Sequence, residues 1–245
     1  MSARVTLATA ARVLTQLRRD PRTLALLLVV PAVLVTLLRY VFDGSEETFH
    51  RIGGPMLGIF PLIAMFLVTS ITMLRERVSG TLERLLTTPL AKLDLLLGYA
   101  IAFALVAAVQ ATVTALVAIE LLGLELRGEA WHVVALAILN AVLGMSLGLF
   151  VSAFARTEFQ AIQFMPAFLF PQLLLCGLLA QRAEMARVLE LLAAVLPMTY
   201  AFDALQAVTR GAALDRGFWL DVGVVVGAAL LALALGAATL RRRTA

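Results

Sequence analysis

Gly144-Met145-Ser146-Leu147-Gly148 matches G-x-S-x-G, a pattern that carries the serine nucleophile in many hydrolases. That chemistry requires a base within hydrogen-bond reach of the serine hydroxyl. The chain has two histidines, His50 and His132, and in a continuous helix His132 lies about 21 Å from Ser146. The motif therefore gives only an alternative function, an intramembrane serine protease with six spans that uses Ser146. The favoured interpretation of these glycines is helix packing.

Pairs of glycines four residues apart occur in three apolar stretches. Small residues at this spacing share one helix face and let a neighbouring helix approach closely. The sequence therefore predicts close helix contacts at three places, namely Gly54 with Gly58, Gly144 with Gly148, and Gly223 with Gly227.

A charged segment, RERVSGTLERLLTTPLAK, occupies residues 75–92 between two stretches, 52–74 and 95–119, that contain no Asp, Glu, Lys or Arg. Ser79-Gly80-Thr81 is a helix-start signal, and Thr88-Pro89 is a stop signal. The pattern predicts a helix of about two turns, which is too short to be stable alone in water. It therefore needs a surface to pack on. The alternatives are the membrane surface, the ends of neighbouring spans, or a groove on a cytoplasmic partner.

The elements that position this segment are membrane spans. The chain is 62% hydrophobic and 15% charged, whereas soluble domains carry about 25% charged residues. A helix needs roughly 20 apolar residues to cross a bilayer. The sequence predicts one all-α transmembrane domain over residues 1–245. Its six spans are predicted at 23–41, 53–74, 94–121, 132–154, 159–180 and 218–240.

The basic residues predict the orientation of the spans. If both termini are cytoplasmic, thirteen basic residues lie inside and seven outside, as the positive-inside rule expects. The net charge of +4 is thus a topology signal, and no nucleic-acid partner is expected.

Two further segments flank the spans. Leu7, Ala11, Leu14 and Leu17 recur at helical spacing within residues 1–22, which predicts an amphipathic helix in the inner interface; a basic tail without structure is the alternative. Residues 181–211 predict two short helices, joined at Pro197, that dip into the outer leaflet without crossing.

Four amide side chains lie inside predicted spans, where an unpaired polar group is costly. They either form hydrogen bonds between helices or line a substrate path, and an apolar wall with scattered amides suits a lipophilic or amphiphilic cargo. No charged residue lies in the middle of a span, which argues against a proton relay or an ion channel. The chain has one cysteine, Cys176, and no metal site is predicted. The candidate path residues are Gln110, Asn140, Gln163 and Gln172.

The charged segment resembles the one that joins the second and third spans in permease subunits of type-2 ABC exporters, the group with daunorubicin-resistance and polysaccharide-export permeases. The similarity extends to RDPRTLALLLVVP before the first span and to LPMTYAFDALQAVTRG before the last. The matching residues of the segment are Arg75, Glu76, Arg77, Gly80, Thr81, Glu83, Leu85, Thr88, Pro89 and Leu90.

This resemblance implies a coupling helix at Thr81–Thr87 that docks on a separate ATPase and passes its motion to the spans. It also implies export of a drug, lipid or glycan-lipid across a bacterial inner membrane. The expected assembly is two ATPase copies with a second permease subunit, identical or not. The residues expected to serve coupling are Arg75, Glu76, Arg77, Gly80, Thr81, Glu83, Arg84, Leu85, Leu86, Thr88 and Pro89.

The lysine content also indicates whether this chain could bind ATP itself. A phosphate-binding P-loop needs Lys followed by Ser or Thr after a glycine-rich turn. Lys92 is the one lysine of the chain, and Leu93 follows it. We therefore expect this chain to be no enzyme and to bind no cofactor itself, with ATP and Mg held by the partner ATPase.

Overall fold

A computed structural model describes residues 2–81 and 92–239, with side chains from residue 94 onward in the second range. These ranges are helical and contain no strand, as the predicted fold class requires. The helices are α1 (Ala3–Arg18), α2 (Pro21–Val41), α3 (Glu46–Val78), α4 (Lys92–Leu116), α5 (Ala130–Ser152), α6 (Glu158–Leu175), α7 (Arg187–Ala193), α8 (Pro197–Thr209) and α9 (Arg216–Thr239), with a π-helical turn at Val117–Leu121 and a 3-10 turn at Arg182–Glu184.

Five of these helices are long and apolar enough to cross a membrane: α2, α3, α5, α9, and α4 together with its π-helical turn. The predicted span at 159–180 corresponds to α6, which ends at Leu175 and contains Pro166 and Pro171. Its end is explained by Gly177, whose φ of +103° lies in the left-handed region. The helices α7 and α8 are bent by 80° at the break before Pro197, and together they are long and apolar enough to be either a broken span or a re-entrant loop. That they dip into the outer leaflet without crossing stays a prediction.

The helix α3 is longer than its predicted span in both directions. It has 33 residues and a length of about 50 Å, against a hydrocarbon thickness of about 30 Å. Glu46 and Glu47 lie in its first turn, where the helix dipole favours acidic residues. Its last turn includes Arg75, Glu76 and Arg77, so the charged segment begins as a continuation of the span.

Helix α3 ends at a residue pair that the sequence suggested as a helix start. Ser79 is the C-cap of α3, and Gly80 follows with a φ of +70°. A glycine in the left-handed region after the cap is a common helix stop. The Ser79-Gly80 pair therefore separates the span from the segment that follows.

Close packing confirms two of the three glycine pairs. A Cβ on Gly144 or Gly148 of α5 would collide with the carbonyl oxygens of Leu62 and Phe66 on α3, and Gly54 and Gly58 contact side chains of α8. The third prediction is wrong within the described chain. Nothing lies within 4 Å of a Cβ built on Gly223 or Gly227 of α9.

Helix α1 packs on the bundle through a face that partly matches the predicted one, since Leu14 and Leu17 pack against the core. Its buried residues are Thr6, Thr9, Ala10 and Val13, whereas Leu7 is exposed. The contact is possible because α4 has Gly98 opposite, where a Cβ would come within 2.6 Å of Thr9. A stripe of small and hydroxyl residues thus brings α1 close to α4.

The bundle has two ends that matter for function. The first, here called the α1 end, holds α1, the last turn of α3 and the first turns of α4 and α6. The opposite end, here called the α8 end, holds α8 and the first turns of α3, α5 and α9. There the Arg127 amide donates a hydrogen bond to the Thr209 carbonyl at 3.1 Å, which connects the loop before α5 to the end of α8.

Candidate functional site

Arg75 connects the last turn of α3 to the first residue of α6. Its Nε donates to Glu158 Oε1 at 2.7 Å, and its NH2 donates to Glu158 Oε2 at 3.1 Å. This bidentate hydrogen bond from Arg75 lowers the pKa of Glu158, so the carboxylate stays charged. Both side chains are largely exposed, which makes the pair weaker than a buried one.

Glu76 connects the same turn to α1 and α4. Its carboxylate accepts hydrogen bonds from Arg12 of α1 at 2.9 and 3.5 Å, and Arg12 also donates to the Tyr99 hydroxyl of α4 at 3.1 Å. Glu76 is buried and Arg12 half-buried. Although burial alone would lower the pKa of Arg12, the interactions with Glu76 and Tyr99 raise it above its ordinary value, so the guanidinium remains charged.

Arg77 connects the turn to α5. Its NH1 donates to the backbone carbonyl of Ser152 at 3.1 Å, and Ser152 is the last residue of α5. This carbonyl is one of the four at a helix C-terminus that have no partner within the helix. The guanidinium of Arg77 supplies a partner beside the Ala155 amide, which donates to the same oxygen at 3.3 Å. It also carries a charge that the negative end of the helix dipole favours.

Arg75, Glu76 and Arg77 therefore bind different neighbours although they are consecutive. In an α-helix each residue is rotated by about 100° from the one before, since a turn has 3.6 residues. Three successive side chains thus cover most of the circumference of α3. Together they hold its end against α1, α4, α5 and α6, and any displacement of this turn must displace those contacts.

A second connection ties the start of α1 to α4. The Ser2 amide and the Thr6 hydroxyl lie 3.3 Å from the Asp94 carboxylate, and Asp94 is buried. The residues predicted from the sequence did not include Arg12, Asp94, Tyr99 or Glu158. A usable signal was present, because Asp94 and Glu158 are acids at span ends on the side predicted to be basic.

The structure brings part of the predicted coupling set together. Arg75, Glu76 and Arg77 lie in the last turn of α3, and Gly80 and Thr81 follow, with the Ser79 and Thr81 hydroxyls 3.0 Å apart. The remaining positions fall outside the described residues. These are Glu83, Arg84, Leu85, Leu86, Thr88 and Pro89.

Comparison with known proteins identifies the family. The ABC-2 type transporter family matches residues 4–209 of the chain. The chain belongs to the ABC-2 type transporter family. The match runs from the first turn of α1 to the end of α8 and includes the contacts made by Arg75, Glu76 and Arg77.

Relatives of the ABC-2 chain include permeases and larger transporters. The probable multidrug ABC transporter permease YbhS of Escherichia coli K12 is 24% identical over 206 residues, 84% of this chain and 55% of that protein. YbhR, a probable multidrug permease of the same organism, is 29% identical over 165 residues, 65% of this chain and 44% of that protein. ABC transporter G family member 20 of Dictyostelium discoideum is 29% identical over 161 residues, 65% of this chain and 22% of that protein. The chain thus spans about half the length, or less, of these relatives.

The four predicted path amides of this ABC-2 chain do not lie together on one open surface. Gln110, Asn140 and Gln172 are buried, and each has a polar atom without a hydrogen-bond partner in the described structure: both amide atoms of Gln110, Nδ2 of Asn140 and Oε1 of Gln172. Gln163 is exposed and lines a cavity of about 450 Å³ beside Arg156 and Gln160. Three of the four amides therefore lie within the packed interior of a single subunit.

The hydrolase alternative finds no support in the site around Ser146. This residue is buried in the middle of α5, and its hydroxyl donates to the Val142 carbonyl at 2.7 Å. The described chain has no strand, so the strand-to-helix turn of a nucleophile elbow is missing there. His132 lies on the same helix, and His50 accepts a hydrogen bond from the Glu125 amide at the α8 end. The described residues also contain no group of three His, Cys, Asp or Glu side chains placed to hold a metal.

Proposed function

We propose that this chain is the permease subunit of an ATP-driven exporter and that the segment 75–92 transmits the motion of a separate ATPase to the spans. The observation that carries the proposal is the set of contacts made by the last turn of α3. Arg75, Glu76 and Arg77 each hold a different neighbouring helix. A force applied to the segment after Gly80 acts first on this turn.

The contacts favour a transmitting role over a docking role for these three residues. The carboxylate of Glu76 is buried against Arg12, so its partner is α1. The docking surface itself is assigned to Glu83, Arg84, Leu85 and Leu86, which the sequence places on a short helix of about two turns. Nucleotide can drive such a cycle only if the ATPase binds one permease conformation better than the other.

The assembly follows from the same reasoning. We infer two ATPase copies and a second permease subunit, because one bundle of this size does not enclose a path and its buried amides are sealed within it. The ATPase would hold ATP and Mg. The location would be a bacterial inner membrane, with the α1 end in the cytoplasm.

The cargo is inferred to be lipophilic or amphiphilic. No acidic or basic side chain other than those near the helix ends is available to bind a small ion within the described spans, and the unpartnered atoms of Gln110, Asn140 and Gln172 are amides. The names of YbhS and YbhR describe them as probable multidrug permeases, which supports the same class of cargo here.

The proposal is tested by replacing Glu83 and Leu85 together with alanine. We expect normal membrane insertion, loss of ATPase co-purification, and loss of transport of a fluorescent lipophilic dye from inverted vesicles. The matched control replaces Glu184 and Leu189 at the α8 end, which should leave both readouts unchanged. Retained transport in the 83/85 variant would contradict the coupling role.

A further inference from the structure

Only some of the arginines at the α8 end form ion pairs within the described residues. Basic residues are disfavoured on the outer side of a membrane, and the α8 end is predicted to be that side. Arg39, Arg182 and Arg187 form ion pairs with nearby carboxylates. In the described ranges, Arg51 and Arg210 form none. These two guanidinium groups therefore have no carboxylate partner among the described residues.

Arg51 and Arg210 share a cavity with a third arginine. The cavity has a volume of about 400 Å³ and lies between the start of α3, the turn after α6, and α8. Arg182 lines it and donates one hydrogen bond, from NH2 to Asp203 Oδ2 at 2.7 Å. A guanidinium has five N–H donors, so most of those on Arg182 remain available. Gln206 adds an amide to the same wall.

The acidic residues near the cavity do not neutralise it. Asp203 lines it but is held by Arg182, and Glu184 is the other carboxylate in its wall. Arg51 and Arg210 also border a second cavity that contains Glu46, Glu47 and Glu125. None of these acids forms an ion pair with either arginine in the part of the chain that the structure describes. Among the residues that line the first cavity, three arginines stand against two carboxylates, which leaves one basic group in excess.

The cavity also has an apolar side. Leu178, Leu179 and Phe202 contribute apolar side chains to its lining. The depth of the cavity in the membrane is indicated by the two tryptophans of the chain, Trp131 and Trp219. They lie in the first turns of α5 and α9, near the α8 end, and each is 61% exposed. Tryptophan is enriched at the level of the lipid headgroups.

From this arrangement we propose that the cavity binds a phosphate group at the headgroup level, held by Arg51, Arg182 and Arg210. Arginine binds phosphate oxygens in a bidentate manner, and Gln206 donates a further hydrogen bond. The apolar side takes the first carbons of an attached chain. A phospholipid and free phosphate are the two sources of this group. The site goes beyond the proposed coupling function and requires neither ATP nor transport.

The experiment uses the full chain in detergent micelles and follows its melting temperature. Phosphatidylglycerol is compared with phosphatidylcholine, and sodium phosphate with sodium chloride at equal ionic strength. A ligand that binds the folded state raises the melting temperature in a concentration-dependent way. The variants are Arg51→Gln and Arg210→Gln, each at an exposed position without an ion pair. Arg216→Gln, at an exposed arginine of the same end outside the cavity, is the control.

We expect stronger stabilisation by phosphatidylglycerol than by phosphatidylcholine, because the choline cation of phosphatidylcholine offsets the charge of its phosphate and is repelled by the three arginines. Each cavity variant should raise the half-saturating concentration about tenfold or more, and Arg216→Gln should leave it unchanged. Stabilisation by phosphatidylglycerol alone identifies lipid as the source, and stabilisation by sodium phosphate identifies the free anion. The proposal is overturned if neither phosphate source stabilises the wild type, or if the cavity variants respond as the control does.

Discussion

Replacing Glu76 with Gln tests how α1 is held to the bundle. The change keeps the size of the side chain and removes the charge that faces Arg12. In the structure the Glu76 side chain is 8% exposed and that of Arg12 28%. The Glu76 carboxylate accepts two hydrogen bonds from Arg12, and Arg12 also donates to Tyr99. After the replacement, Arg12 has no carboxylate to neutralise it.

The size of the effect follows from burial. Removing one partner of a fully buried ion pair costs about 3–5 kcal/mol, whereas an exposed pair contributes about 0–1 kcal/mol. Because Arg12 keeps some contact with water, the remaining charge is partly solvated. We expect Glu76→Gln to lower the free energy of unfolding by about 2 kcal/mol. For Arg75→Gln, whose pair with Glu158 is 62% and 49% exposed, we expect less than about 1 kcal/mol.

The assay uses Cys176, which is the one cysteine of the chain and is buried. Its reaction with a maleimide fluorophore reports unfolding as the SDS fraction of mixed micelles rises. In a double-mutant cycle, Glu76→Gln combined with Arg12→Met should cost less than the sum of the single changes, because no unpaired charge is left. The interaction between buried Glu76 and Arg12 would be refuted if the costs of the two single changes added up in the double variant. An effect of Glu76→Gln as small as that of Arg75→Gln would refute it too.

Two further predictions concern the α3–α5 packing, measured with the same assay, and the Arg75–Glu158 pair, measured by melting temperature. Gly144→Ala should lower the free energy of unfolding by about 1–3 kcal/mol, because the added Cβ would collide with the Leu62 carbonyl. The control Gly223→Ala faces open space and should change this free energy by less than about 0.5 kcal/mol. Equal effects of the two variants would contradict the α3–α5 packing. The third prediction concerns pH: Arg75 lowers the pKa of Glu158 below the ordinary 4.5, so this pair stabilises the fold above that pH and the stabilisation is lost as the pH falls through the lowered pKa. The melting-temperature difference between wild type and Glu158→Gln should therefore stay constant down to the ordinary glutamate pKa and shrink only at lower pH, and a difference that shrinks at neutral pH would contradict the pair.

The sequence predicted the membrane class and most helices because the signal is long and simple. A run of apolar residues must be helical in lipid, since each backbone polar group needs a partner there. Helix ends were harder to predict. The pair Ser79-Gly80 is compatible with the start of a helix or with its end, and the outcome depends on whether the preceding turn packs. Here α3 continues to this pair because Arg75, Glu76 and Arg77 bind neighbouring helices.

The contacts of the candidate site could not be predicted from local patterns. Arg12 and Glu76 are 64 residues apart, and their pairing depends on how closely α1 approaches α4 at Gly98. The apolar face predicted for α1 included Leu7, but the close approach selects Thr9 and Ala10 instead. The polar atoms of Gln110 were expected to bond a neighbouring helix or to line a path, and the fold places them in the interior without a hydrogen-bond partner among the described residues.

The central claim is that residues 81–87 touch a nucleotide-binding partner. The most direct measurement is photo-crosslinking in native membranes from a photoreactive amino acid placed at Leu85, with Leu214 at the α8 end as the control position. We predict a crosslink from position 85 to a chain that carries G-x-x-x-x-G-K-[ST], strengthened or weakened by added nucleotide, and none from position 214. Crosslinks from position 85 only to lipid or to the permease itself would contradict the account.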